Sequence, residues 1–301
     1  MNTIPQEQNE PRQLDLLAAQ RELYREAKAY QAWQIFLSVP GVILFSVLVA
    51  FSPQLQAFAA LYGVVVAVSQ LIFFTPRQKA LQEQAAKVQE QLDCKLLDLP
   101  WRQYKVGNYP DPETIVEYAQ KHRRDHPDMD DVRDWYPIGV GQIAQPLATI
   151  ICQRSNLRWD ARLRLRYANW MLVVLFGLCL VVLLLGLIGG LTIEKFVLAM
   201  VVPLLPALLL AIRQYKEYSE SAAKVERLKD QVDSLWQLAR DGNLPDNEIK
   251  ARCRELQDGL YEHRHSSPLV FEWVYKRLKQ EQEDQMRAGA DALIGQVLQG
   301  P

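Results

Sequence analysis

Long apolar blocks without one ionisable side chain alternate along this chain with amphipathic, highly charged ones. No Asp, Glu, Lys or Arg occurs in residues 29–76, 167–193 or 196–212. A helix crossing a hydrocarbon core needs about 20 apolar residues, because lipid offers no partner to an unsatisfied backbone group. The first block is long enough for two such helices, broken at Ser52-Pro53-Gln54. The pattern therefore predicts spans over residues 35–51 and 55–74. A third follows over 170–191, and a short fourth over 196–212 that Pro203 and Pro206 kink. Segments such as GVILFSVLVAF and LVVLLLGLIGG carry no polar face, which argues against hairpins buried in a soluble core.

The flanks predict amphipathic helices. Leu81, Ala85, Val88 and Leu92 follow the second span at heptad-like spacing, and Tyr218, Ala222, Val225 and Val232 follow the fourth nearly so. These two outgoing helices are expected to pack on each other as a stalk. Pro110-Asp111-Pro112-Glu113 and Pro245-Asp246-Asn247-Glu248 read as helix starts, and residues 271–298 as one more charged helix. No strand is expected. The fold class is an all-α membrane protein: four transmembrane helices as two duplicated hairpins, with a helical cytoplasmic domain. Its divisions are an N-terminal helix (1–34), a first hairpin (35–74), a helical region (75–169), a second hairpin (170–212) and a C-terminal helical region (213–301).

Composition alone hides this. With 301 residues, 49% hydrophobic, 23% charged and a net charge of −1, the bulk numbers resemble an average soluble protein. The near-neutral total excludes a basic nucleic-acid binder. Lysine and arginine crowd the span ends on one side: Arg21, Arg25 and Lys28, then Arg77 and Lys79, then Arg154 to Arg166, then Arg213 and Lys216. The hairpin loops hold only Lys195. Both hairpins thus dip out and return, with both termini cytoplasmic. Cys94, Cys152, Cys179 and Cys253 form no C-x-x-C pair and are expected reduced.

The two halves repeat each other. At a constant offset of 137, Arg21 matches Arg158, Tyr30 matches Tyr167 and Trp33 matches Trp170. The same offset aligns Ala85-Ala86-Lys87-Val88 with Ala222-Ala223-Lys224-Val225, and Asp93 with Asp230. The units should relate by a pseudo-twofold along the membrane normal.

Catalytic signatures are poor: there is no P-loop, no G-x-G-x-x-G, no G-x-S-x-G and no H-E-x-x-H. No enzyme, cofactor or metal is expected. His122 and His126, like His263 and His265, are read as solvated helix faces, because the adjacent Arg123, Arg124 and Arg264 disfavour a cation. Asp128, Asp130, Asp131 and Asp134 lack the glycine and spacing of an EF-hand and are read as surface acidity or capping. Within the spans only Ser38, Ser46, Ser69 and Gln70 break the apolar surface, too little for an open pore in a resting monomer. The spans either anchor the rest or breach the bilayer after assembly. The densest polar patch is Arg154, Asn156, Arg158, Trp159 and Arg162. It sets topology and meets anionic headgroups, or else receives an anionic ligand, guanidinium for phosphate and aromatic for a base. Trp135 and Tyr136 are further stacking candidates.

Several segments resemble one family. They are Leu17-Ala18-Ala19-Gln20-Arg21-x-Leu23-Tyr24, Leu99-Pro100-Trp101, Asp134-Trp135-Tyr136-Pro137, Ile151-Cys152-Gln153-Arg154-Ser155-Asn156-Leu157-x-Trp159-Asp160 and Phe271-Glu272-Trp273-x-Tyr275. Together these resemble the SMODS-associated four-transmembrane effectors, pore-forming proteins of bacterial defence islands, over nearly the whole chain. The resemblance implies an anti-phage effector of the bacterial inner membrane. Its partners would be the lipid bilayer, a cyclic oligonucleotide messenger and further copies of itself, with no nucleic acid polymer. A membrane-anchored scaffold without pore activity is the alternative.

Overall fold

The computed structural model describes residues 2–41, 44, 45, 48, 52–188, 190, 192–197 and 202–299. Every α-helix, 3-10 turn and π turn among them belongs to one helical assembly without a strand. In chain order the α-helices are α1 (Ile4–Glu7), α2 (Pro11–Ser38), α3 (Gln56–Ser69), α4 (Thr75–Leu96), α5 (Gln103–Val106), α6 (Pro112–Asp125), α7 (Gln145–Ile188), α8 (Ile193–Phe196), α9 (Val202–Arg240), α10 (Asp246–Ser266) and α11 (Glu272–Leu298). A π-helical turn, Gln70–Phe74, joins α3 to α4. Pro11 and Pro112 open α2 and α6, where a missing N–H costs no intrahelical bond. The two predicted acidic starts open α6 and α10, and the predicted tail helix is α11.

Among the described residues, two helical stretches are long and apolar enough to cross a membrane, Gln56–Leu96 and Leu163–Val181, and their apolar windows are mostly unburied. Leu71 and Phe176 are 76% and 77% exposed, a surface that water would penalise and lipid accepts. The expected first and fourth spans fall partly on residues outside those described. α2, α7 and α9 run without a break from charged flank into apolar block.

The polar part packs around one extended core. α2 lies on α4, burying Leu17, Leu23 and Ala27 with Leu81, Ala85, Val88 and Leu92. α9 lies on α7 in the same manner. The expected stalk of two paired outgoing helices is therefore corrected: α4 and α9 each use their apolar stripe on the incoming helix of their own half. α10 then packs on α4, α7 and α9 and ties the halves together. Positions 137 apart share their burial on one face only. Trp33 and Trp170 are both exposed, at 58% and 56%, while Ala85, Val88, Ala222 and Val225 are all buried. The opposite flank differs: Ala86, Glu90 and Asp93 are buried, but Ala223, Arg227 and Asp230 are exposed, because α10 covers that flank of α4.

Close approach of α10 to α9 depends on Gly259. A Cβ there would lie 2.6 Å from Leu228 Cδ2. Gly259→Leu should destabilise the fold by about 1–3 kcal/mol through overpacking, read as a lower unfolding midpoint in detergent. An unchanged midpoint would mean that the Leu228 side chain swings aside without loss.

Candidate functional site

Three turns of α4 set the chemistry of the interior. A rotation of about 100° per residue puts Gln82, Ala86, Glu90 and Asp93 on the flank beside the leucine stripe, and all four are buried. Burial of carboxylates is tolerable only where charge and hydrogen bonds answer them. α10 supplies both. Arg254 Nη2 donates to Glu90 Oε1 at 2.7 Å and to Asp258 Oδ1 at 2.9 Å, and Arg264 Nη1 donates to Asp93 Oδ2 at 2.6 Å. Gln257 Nε2 bridges Glu90 and Asp93 at 2.8 and 3.0 Å. Arg102 pairs with the other Asp258 oxygen. Burial pushes the Glu90 carboxyl up, and Arg254 opposes it. For Arg264 burial pulls the other way, but Asp93 outweighs it and holds the guanidinium charged.

α7 joins from the third side. Gln153 Nε2 donates to Cys253 O at 2.8 Å and to Gln257 Oε1 at 3.0 Å. Asn156 Nδ2 donates to the Tyr136 hydroxyl at 3.1 Å, which donates to Asp93 Oδ1 at 2.7 Å. Gln8 clasps the Tyr136 backbone, accepting its N–H at 2.7 Å and donating to its carbonyl at 3.2 Å. Burial pushes the Cys152 thiol well up and the Cys253 thiol up to about 12, so neither is a thiolate at neutral pH.

The residues singled out from sequence are dispersed through this interior. Arg154 is ion-paired with Asp233 of α9. Tyr136 is 1% exposed, within the network rather than at a surface, and Trp135 packs half-buried against the core. Asn156 and Tyr136 are brought together. The side chains of Arg158, Trp159 and Arg162, on the next turns of α7, lie outside the described residues. The histidine readings need correction: His122 and His263 are buried, because α6 and α10 turn those faces inward, while His126 and His265 remain exposed.

At the end of α10, Ser267, His263 and Asp160 form a hydrogen-bonded chain, with Ser267 Oγ 2.8 Å from His263 Nδ1 and His263 Nε2 bonded to Asp160. Arg164 donates to the same carboxylate at 2.7 Å and to Pro268 O at 2.6 Å. The chain fastens the end of α10 to α7. Burial pushes Asp160 up, but Arg164 and His263 outweigh it and hold the carboxyl far below its ordinary range. A folded-state pKa below the unfolded one gives stability that is present above about pH 4 and lost as pH falls further. Asp160→Asn should accordingly flatten the acid limb of a pH-dependent unfolding curve; an unchanged limb would remove Asp160 as its source.

Beside Ser267 opens a cavity of about 850 Å³, the size range of small-molecule sites. Its walls come from α2, α3, the π turn, α4, α9 and the end of α10. Amides dominate: Gln31, Gln70, Gln78 and Gln82 line it, with Lys79 and Lys224, and with Arg213 beside Glu217 and Glu220. Among the described residues, neither lysine is ion-paired. Gln70 donates to Ser38 across the α2–π turn contact, so two polar residues that interrupt the apolar blocks meet in the cavity lining. Gln82 reaches out of it to donate to Arg264 O and Ser267 O at 3.0 and 2.7 Å. Carboxamides offer donors and acceptors at once, and unpaired ammonium groups favour an anion. Sequence reasoning missed this site, though the glutamines at 31, 34, 70, 78 and 82 were a signal.

A family described as the SMODS-associating 4TM effector domain matches residues 2–293. The chain belongs to that family. The chain is also similar to a probable CBASS effector molecule of Bacillus cereus strain VD146, 25% identical over 287 residues, covering 93% of this chain and 95% of that one. No solved structure matches. The family description and the two apolar helices together make this a membrane effector-domain protein.

Proposed function

We propose that this protein is a membrane effector of bacterial anti-phage defence that permeabilises the inner membrane when a cyclic oligonucleotide enters the cavity between its hairpin roots. Four helices span the bilayer as two duplicated hairpins, both termini face the cytoplasm, and several copies assemble in the active state. Family membership and the relative described as a probable CBASS effector support the defence role. The observation that carries the nucleotide site is the cavity itself, since its walls come from both hairpin roots and its lining pairs carboxamides with unpaired lysines. Bases are read by amide edges and phosphates by ammonium groups. A ligand there touches Gln82, whose amide holds the end of α10, and α10 holds α4 through Glu90 and Asp93. Arg154, Asn156 and Tyr136 then transmit the shift.

The test is dye leakage from liposomes containing the purified protein, with and without a panel of cyclic di- and trinucleotides. Leakage with one nucleotide and not with the others is the expected result. Binding without leakage would favour a membrane-anchored scaffold. Leakage without any nucleotide would overturn the sensor.

A further inference from the structure

The end of α6 carries a constellation that the nucleotide-gated reading does not use. His122 and His126 stand four residues apart on α6 and its C-cap, their rings stacked with centroids 4.6 Å apart. The chain then turns back through Met129, held at φ +55° with its side chain buried in the core. That turn returns Asp131 to the histidines, with Oδ1 3.2 Å from His122 Nε2. One ligand atom from each of the three residues lies within 4.8 Å of the others. We propose that His122, His126 and Asp131 form a binding site for a divalent transition metal, with zinc the best match.

Two imidazoles and a carboxylate are a borderline donor set that suits zinc, which accepts three protein ligands and leaves a fourth position to water. Arg21 of α2 supplies the outer support. Its Nη1 sits 3.0 Å from Asp131 Oδ2 and donates to the Asp131 carbonyl at 2.5 Å. This contact occupies one carboxylate oxygen and turns the other toward the imidazoles, as outer partners of metal ligands do. The guanidinium next in sequence is not in competition, for Arg123 is drawn onto Asp15 of α2 at 2.6 Å. His122 is buried and His126 exposed, so an ion enters from solvent and binds against the packed side. Occupancy would pin the end of α6 and its turn to α2, the helix that continues toward the first apolar block.

The test uses the full chain in detergent, stripped of metal and titrated with Zn2+ by calorimetry, with retained metal counted after gel filtration. One Zn2+ per chain is expected, with a raised unfolding midpoint. His126→Ala, at an exposed position, should keep the metal-free midpoint and lose both effects. Arg21→Gln should weaken binding about tenfold through the outer contact. Co2+ in place of zinc should give the strong visible absorption of a four-coordinate site. Equal Zn2+ binding by the native chain and His126→Ala, or no Zn2+ retained by the native chain, would overturn the assignment.

Discussion

Arg254→Ala should cost about 3–5 kcal/mol of folding stability, because it leaves Glu90 buried with its charge unanswered. Arg254 and Glu90 are 2% and 0% exposed, so water cannot take the place of the lost partner. Asp258, which shares Arg254, loses a 2.9 Å contact, and Pro100 O loses a donor at 3.1 Å. The informative comparison is the cycle with Glu90→Leu. Removing both charges and refilling the space, as Glu90→Leu with Arg254→Met, should recover most of the loss, since an apolar pair of similar volume is often as stable as a buried ion pair. If the double variant is as stable as the native chain yet no longer leaks on stimulation, the network serves coupling between α4 and α10. If the double variant is no more stable than Arg254→Ala alone, the pair is a plain structural fastener whose loss nothing nearby repairs. Denaturant titration in micelles, followed by tryptophan fluorescence, reads Arg254→Ala together with the full cycle of the native chain, Arg254→Met, Glu90→Leu and their combination.

Why this network is silent in the sequence follows from α4 itself. Leu81, Ala85, Val88 and Leu92 announce a core-facing stripe, and the stripe is where the heptad spacing puts it. The flank with Gln82, Glu90 and Asp93 has the composition of any solvated helix face, and its counterpart with Arg227 and Asp230 on α9 is solvated. Burial of the first flank is decided by α10, more than 150 residues downstream, and no local pattern reports where α10 docks. Arg254 and Arg264 are likewise ordinary helical arginines until they meet Glu90 and Asp93. Elements set by local chemistry were legible: the helix starts near Pro112 and Asp246, the tail helix, and the apolar blocks with their charged margins. The outgoing helices were expected to pair with each other because both carry heptad-like stripes, and each instead serves the nearer incoming helix. The cavity was half legible. Ser38 and Gln70 stand out as polar breaks in apolar runs, but their meeting across the π turn is a tertiary fact.

Reversing the charge of the cavity rim should abolish the response to nucleotide while sparing the fold. Lys79 and Lys224 are both exposed, so Lys79→Glu with Lys224→Glu changes no buried contact, and the unfolding midpoint should move little. Each lost charge-assisted hydrogen bond to a phosphate is worth about 1.5–3 kcal/mol. Two of them predict affinity at least about 100-fold weaker, at about 1.4 kcal/mol per tenfold, before repulsion by the new carboxylates is counted. Leakage at a fixed nucleotide concentration near the native midpoint should therefore vanish. Arg154→Ala separates the two locations the chain offers for an anion. With the ligand in the cavity, this variant keeps nucleotide affinity and at most dulls leakage, because Arg154 is held by Asp233 and not by ligand. With the ligand on the arginine-rich turn of α7, Arg154→Ala loses affinity and the double lysine variant keeps it. The second pattern would move the sensor from the hairpin roots to α7.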